Sequence, residues 1–402
     1  MARRQAAATS RTTTGRITAV KSFSKIIFFL ALIVPSLSAQ WITSLDFNAR
    51  AQKGIDHVYN LEFEQAEAEF SFLAQKYPSH PAGKFFLAMI DWWTILMDID
   101  DESHDDRFIQ RLDEVIELCD RLLKVNKNDV SALFFKGGAL GFRGRLRANR
   151  SSWIKAANDG RLALPIVQHA YEIAPDNHDI LLGIGIYNYY ASTIPEKYPI
   201  VKPLMLFFPS GDKKKGIQQL REASVKAQFA AIEAKYFLLQ LSYSYERYYD
   251  SAYVLASSLL RRFPNNVLFH RYLGRSAYVL GRHGEAQGIF WDILQRCEKK
   301  QRGYYHHAKR EALYYLALCE MNKQNYDQAL RYFYRSDEVS REIDKNDQSG
   351  FMVLANLRIG MIYDLQKKRQ YAQGQYQKVL NMKKFENSHE LANKYLKTPH
   401  TQ

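Results

Sequence analysis

Apolar residues recur at three- and four-residue spacing along most of the chain, in amphipathic stretches that come in pairs. The stretch GIDHVYNLEFEQAEAEFSFLAQKYP sets a frame, with Gly54, Ala66, Phe70 and Pro78 at offsets 0, 12, 16 and 24. Small residues let two antiparallel helices approach closely, an aromatic ring fills the space beneath the next pair, and proline stops the second helix. The frame returns at Leu239, Tyr243, Ala252 and Pro264; at Leu273, Gly274, Ala286 and Phe290; at Leu316, Ala317, Ala329 and Phe333; and at Gly360, Tyr363, Ala372 and Tyr376. Ala252 and Ala286 are 34 residues apart, and the last two units each follow their predecessor by 43.

Three less regular pairs fill the interval, over 82–127, 131–175 and 178–228, and SHELANKYL predicts a polar helix that caps the end. The pattern predicts an all-α chain, a right-handed α-solenoid of about eight helix pairs with a C-terminal capping helix. It divides into N-terminal units over 40–127, degenerate units over 128–230, C-terminal units over 231–384, and a capping helix and tail over 385–402.

One segment breaks the pattern. Residues 192–212 carry prolines at 195, 199, 203 and 209, which forbid a regular helix and favour extended backbone. Between the last two lie Leu204, Met205, Leu206, Phe207 and Phe208, too short a run to cross a bilayer. Exposed, that run would be an aggregation liability. It is expected to plug the concave side of the solenoid; docking into a partner or a membrane leaflet is the alternative.

Charge changes the picture only at the N-terminus. Residues 1–39 hold Arg3, Arg4, Arg11, Arg16, Lys21 and Lys25 and no acid, then the apolar run 26–34, then Pro35 and the small residues Ser36, Ser38 and Ala39. This order describes a secretory signal peptide cut near Ala39, and predicts an exported, periplasmic or envelope-associated protein; a mitochondrial transit peptide is the alternative. Removing those six cations takes the net charge from +14 to +8, too dilute an excess for a nucleic-acid stripe. The three cysteines, Cys119, Cys297 and Cys319, are odd in number and widely spaced, which argues against a disulfide framework.

The repeat frame resembles the tetratricopeptide-repeat superfamily over nearly the whole chain beyond residue 39. GIGIYNYYASTIP followed by FFPSGDKKKGIQQLREA is similar to the central segment of the tetratricopeptide repeat protein 39 and inclusion-clearance family. That resemblance implies an adaptor without catalysis.

Candidate chemistry is sparse. The acids of DIDDESHDD, from Asp98 to Asp106, lack the glycine and final glutamate of a calcium loop, and read as a solvated loop and helix start. His306 and His307 are adjacent and cannot share a metal from one helix face; they read as linker residues. No nucleophile elbow, zinc-helix motif or phosphate loop is present, so no enzyme, metal or cofactor is expected. Arg143, Arg145, Arg147 and Arg150 form a basic stretch that would suit a membrane surface or a nucleic acid, or complement a helix end. The first helices of the C-terminal units predict an open groove for a protein or peptide partner, lined by Tyr236, Phe237 and Leu241, by Arg271, Arg275 and Tyr278, and by Glu311, Tyr314 and Leu318. There, Arg271 and Arg275 would grip an acidic peptide.

Overall fold

A computed structural model describes residues 44–197, 209–345 and 347–401. Its helices fall into pairs: α1 (Leu45–Tyr59) with α2 (Phe63–Lys76), α3 (Ala82–Met97) with α4 (Asp105–Val125), α5 (Val130–Asn149) with α6 (Trp153–Ile173), and α7 (Ile180–Lys197) with α8 (Lys213–Lys226). Then follow α9 (Ala231–Ser244) with α10 (Tyr249–Arg262), α11 (Val267–Val279) with α12 (His283–Glu298), α13 (His306–Asn322) with α14 (Tyr326–Ile343), and α15 (Gly350–Leu365) with α16 (Arg369–Leu380). The short α17 (Ser388–Lys397) closes the series, and among the described residues there is no strand. The all-α solenoid is therefore present, with eight pairs and a terminal helix.

The frame has a steric basis. A Cβ added at Gly54 would lie 2.3 Å from the Phe70 ring, at Gly274 2.8 Å from Phe290, and at Gly360 2.6 Å from Tyr376. Each small residue thus admits the ring sixteen positions later. Side-chain caps start several helices: Asp129 accepts from Ala132 N at 2.9 Å, Asp212 from Lys215 N at 3.0 Å, and Asn266 from Leu268 N at 3.0 Å. Within the pairs, the turn repeatedly uses one left-handed residue: Arg247, Gly281, Gln324 and Lys367. Their spacings of 34, 43 and 43 reproduce the repeat period read from the alanines.

Helix α7 departs from expectation. It runs through Pro195 to Lys197 rather than ending before the prolines. Pro195 costs the helix one backbone bond, from its missing N–H to the preceding turn, and the helix ends two residues later. Residues 204–208 lie outside the described residues.

The array also coils far enough for its beginning to meet its later units. Arg262 donates to Asp56 at 2.8 Å, Asn266 Nδ2 to the Tyr59 carbonyl at 2.8 Å, and Arg302 to Glu64 at 2.7 Å. The Tyr59 ring packs on Trp93 at 4.9 Å and Phe263 at 5.6 Å. Gly303, at φ +82°, sits where a Cβ would lie 2.8 Å from Leu61 and 2.9 Å from the Met97 sulfur. One apolar core runs from Phe47 through Trp93, Phe269 and Leu316.

Candidate functional site

The predicted C-terminal groove is largely interior wall. Tyr236, Phe237, Leu241, Tyr314 and Leu318 are buried, and Tyr278 is half-buried. Tyr236 packs against Trp93 at 5.4 Å and Phe269 at 5.5 Å. Glu311 is fully buried and accepts from Arg271 at 2.9 and 2.7 Å and from both prongs of Arg275. Burial alone would raise the Glu311 carboxyl, but the two guanidiniums outweigh it and hold it below its ordinary range. Arg271 and Arg275 are therefore engaged by this chain's own acid, which corrects the expectation that they grip a partner's. The repeat frame states which way a residue points. It does not state what occupies the space it points into.

The basic stretch of α5 is likewise paired rather than free. Arg143 and Arg147 converge on buried Asp159, at 2.7 and 2.6 Å, and Arg143 also reaches Asp113. Arg150 holds Asp105 at 2.6 Å, and Arg145 holds Glu233 at 3.2 Å. A membrane-facing role for these four arginines is thereby corrected. The acidic loop between α3 and α4 is pinned too, since His307 Nε2 lies 3.0 Å from Asp100. His306 and His307 open α13 rather than sitting in a linker. Among the described residues, no group of three His, Cys, Asp or Glu side chains could hold a metal, and no helix is long and apolar enough to cross a membrane. Burial pushes the Cys119 thiol up to about 12 and the Cys319 thiol to about 11, so neither is a ready nucleophile.

The open space lies elsewhere, between the first helices of the N-terminal and central units. A cavity of about 720 Å³ is lined by α1, α3, α5, α7 and α9, with α6 behind them. Its walls are mostly apolar, including Val58, Phe86, Met89, Leu140 and Ile184. Glycines widen it: Gly137, Gly138 and Gly141 on α5, Gly160 on α6 and Gly183 on α7. An interior helical glycine costs about 1 kcal/mol relative to alanine. At Gly137 the neighbour explains the choice, because a Cβ would lie 2.5 Å from Val167. At Gly141 an added Cβ would meet nothing within 4 Å. Packing therefore does not demand that glycine, which lines the cavity and is solvent-exposed.

One polar cluster crosses the cavity. The Arg145 guanidinium lies between the rings of Trp92 at 4.8 Å and Phe237 at 4.5 Å, and donates to Glu233 and Gln240, both at 3.2 Å. Glu233 also accepts from the Tyr59 hydroxyl at 2.7 Å. Glu233 is the one carboxylate among the described lining residues, and both its oxygens are hydrogen-bonded within the chain, so the wall is mainly apolar. Of the nine residues predicted for the groove, Phe237 alone lines this cavity. The signal for it was present in GGALGFRG on α5, where Gly137, Gly141 and Gly144 fall four and three residues apart on one helix face.

Residues 178–379, half of the chain, match the family model described as Iml2/Tetratricopeptide repeat protein 39. The BBSome complex member BBS4 homolog of Drosophila melanogaster is 29% identical over 85 residues, 20% of this chain and 17% of that protein. The chain therefore spans about a sixth of that relative's length. Among solved structures, a tetratricopeptide repeat protein from Parabacteroides merdae is 12% identical, with 78% of this chain and 99% of that chain covered and a TM-score of 0.32. Yeast Tom70 is 11% identical, with 88% of each chain covered and a TM-score of 0.36. Human IFIT1 is 13% identical, with 88% and 85% covered and a TM-score of 0.40. The central glycine-rich helix, the proline-bearing segment and the helix after it, from which the resemblance was drawn, fall within the matched span, and the chain belongs to the Iml2/tetratricopeptide repeat protein 39 family.

Proposed function

We propose that this helical-repeat scaffold is an exported, non-catalytic adaptor that receives an apolar segment of a partner protein in its concave cavity. The observation that carries the reading is the cavity itself, walled mostly by apolar side chains and by the glycines of α5 and α7. The volume falls within the range of pockets that enclose a compact ligand, and suits a few large apolar side chains. Export is supported by the basic, apolar and small-residue order of residues 1–39.

The test fills the cavity. Wild type and Gly141→Leu, both as the full chain, are used to recover partners from the native envelope fraction. The variant is expected to fold and to lose partners that wild type retains. Identical recovery by the two proteins would remove the cavity from the proposal. Intact mass of the protein from that fraction tests export separately, with a mature start after Ala39 expected.

A further inference from the structure

The charge of the chain is unevenly placed. Residues 40–365 hold 42 lysines and arginines against 40 acids, whereas residues 366–402 hold eight against two. The last pair's second helix and the cap therefore carry +6 of the +8 that lies beyond residue 39. A cap has to be polar to face water, but it needs no single sign, and solvated surfaces ordinarily mix both.

Four of the eight cations have a carboxylate of this chain. Arg369 holds Asp364 at 2.9 Å, Lys378 holds Asp337 at 3.2 Å, Lys383 holds Asp347 at 2.6 Å and Lys384 holds Glu390 at 2.6 Å. Lys367, Lys368, Lys394 and Lys397 are exposed and form no ion pair among the described residues. Two bonds bring these four together. Arg369 also donates to the Leu396 carbonyl at 2.7 Å, and the His400 amide donates to Asp364 at 2.8 Å. They press the α15–α16 turn, which carries Lys367 and Lys368, against the end of α17, which carries Lys394 and Lys397. Of the two acids, Glu390 is taken by Lys384, and Glu386 precedes α17, at the end away from Lys394 and Lys397. Lys394 and Lys397 suit the negative end of the α17 dipole. Lys368 and Arg369 have no such excuse, because they open α16, whose first turn holds no acid, and set positive charge at its positive end.

The kind of cation narrows the partner. A planar guanidinium fits one carboxylate or phosphate, while ammonium groups on long flexible stems answer a diffuse anionic field. The ring nearest them, Tyr395, packs on Tyr376 at 5.6 Å and on His400 at 4.9 Å, so it is not offered to a nucleic-acid base for stacking. We propose that Lys367, Lys368, Lys394 and Lys397 form an electrostatic docking face for a bilayer that carries anionic phospholipid headgroups. The face is separate from the cavity and stands or falls independently of it.

Vesicles test this with the full chain. Residues 1–39 bring six cations and an apolar run of their own, so the readout has to be local. Hydrogen–deuterium exchange over 366–400 is followed with vesicles of phosphatidylcholine alone and with vesicles containing about one-third phosphatidylglycerol. The anionic vesicles are expected to slow exchange there at least ~threefold, an effect lost at about 0.5 M salt, and the neutral vesicles to leave it unchanged. Replacing the four lysines together by glutamine should abolish the slowing, and replacing them by arginine should keep it. Should the glutamine variant fail to fold, Lys394→Gln with Lys397→Gln decides, with about half of the slowing lost. Lys124, Lys127, Lys299 and Lys300 are also exposed and without an ion pair among the described residues. Changing those four to glutamine removes the same charge elsewhere and should leave the slowing intact. No slowing, equal slowing by neutral vesicles, slowing that survives the glutamine variant, or slowing lost in the arginine or distant-lysine variant would overturn the proposal. Protection by an oligonucleotide but not by vesicles would overturn it as well.

Discussion

The inner faces of α5 and α7 differ from those of α11 and α13, although both belong to stacked pairs of one kind. The central helices present glycines inward and leave a void of about 720 Å³. The later helices present Arg271, Arg275, Tyr314 and Glu311 and close theirs with an ion cluster and rings. The repeat sets how far apart the helices stand. The inward side chains decide whether the space between them is a strut or a chamber.

Breaking the strut has the largest expected effect. Glu311→Gln leaves two partly buried guanidiniums facing one another without their carboxylate, and should cost about 3–5 kcal/mol in denaturant unfolding. A loss below ~1 kcal/mol would show that the cluster carries little of the stability. An intermediate effect comes from acid. His270, buried in α11 with Tyr304, Asp292 and Arg296 around it, has its pKa lowered to about 4, chiefly by burial. Because its folded pKa lies below the unfolded 6.5, the unfolded chain takes the proton first as pH falls. Stability from this residue is whole above pH 6.5 and drains between there and about pH 4, on the order of 3 kcal/mol. His270→Asn should flatten that part of the Tm–pH curve; an unchanged slope would refute the assignment. The smallest effect belongs to the chamber wall. Gly141→Leu should leave stability unchanged or raise it by up to ~1 kcal/mol, since the helix gains propensity and the side chain enters empty space. A clear drop in Tm would mean that the void is not where the geometry puts it.

Much of the architecture was legible because it rests on local rules. Glycine at 54, 274 and 360 with an aromatic sixteen residues later is a steric statement that sequence spacing carries whole. The pairing of Arg271 and Arg275 with Glu311 joins equivalent helices of adjacent units, so it was within reach of the frame. Arg145 with Glu233 was not, because 88 residues separate them and no periodicity links them. The cavity was missed for the complementary reason: a void is a property of what several distant helices fail to fill. Pro195 misled at the boundary of α7, because the loss of one backbone bond did not stop the helix, which runs two residues past it.

The bonds from α1 and α2 to residues 262–303 have a further consequence. In a linear array each module touches only its neighbours, and stability spreads along the chain in nearly independent steps. Here Asp56 and Arg262 are 206 positions apart, so their bond forms only after most of the intervening modules have taken their places. Removing the first pair should therefore loosen modules five and six, and the coil should melt as one body where a straight stack would fray from its ends.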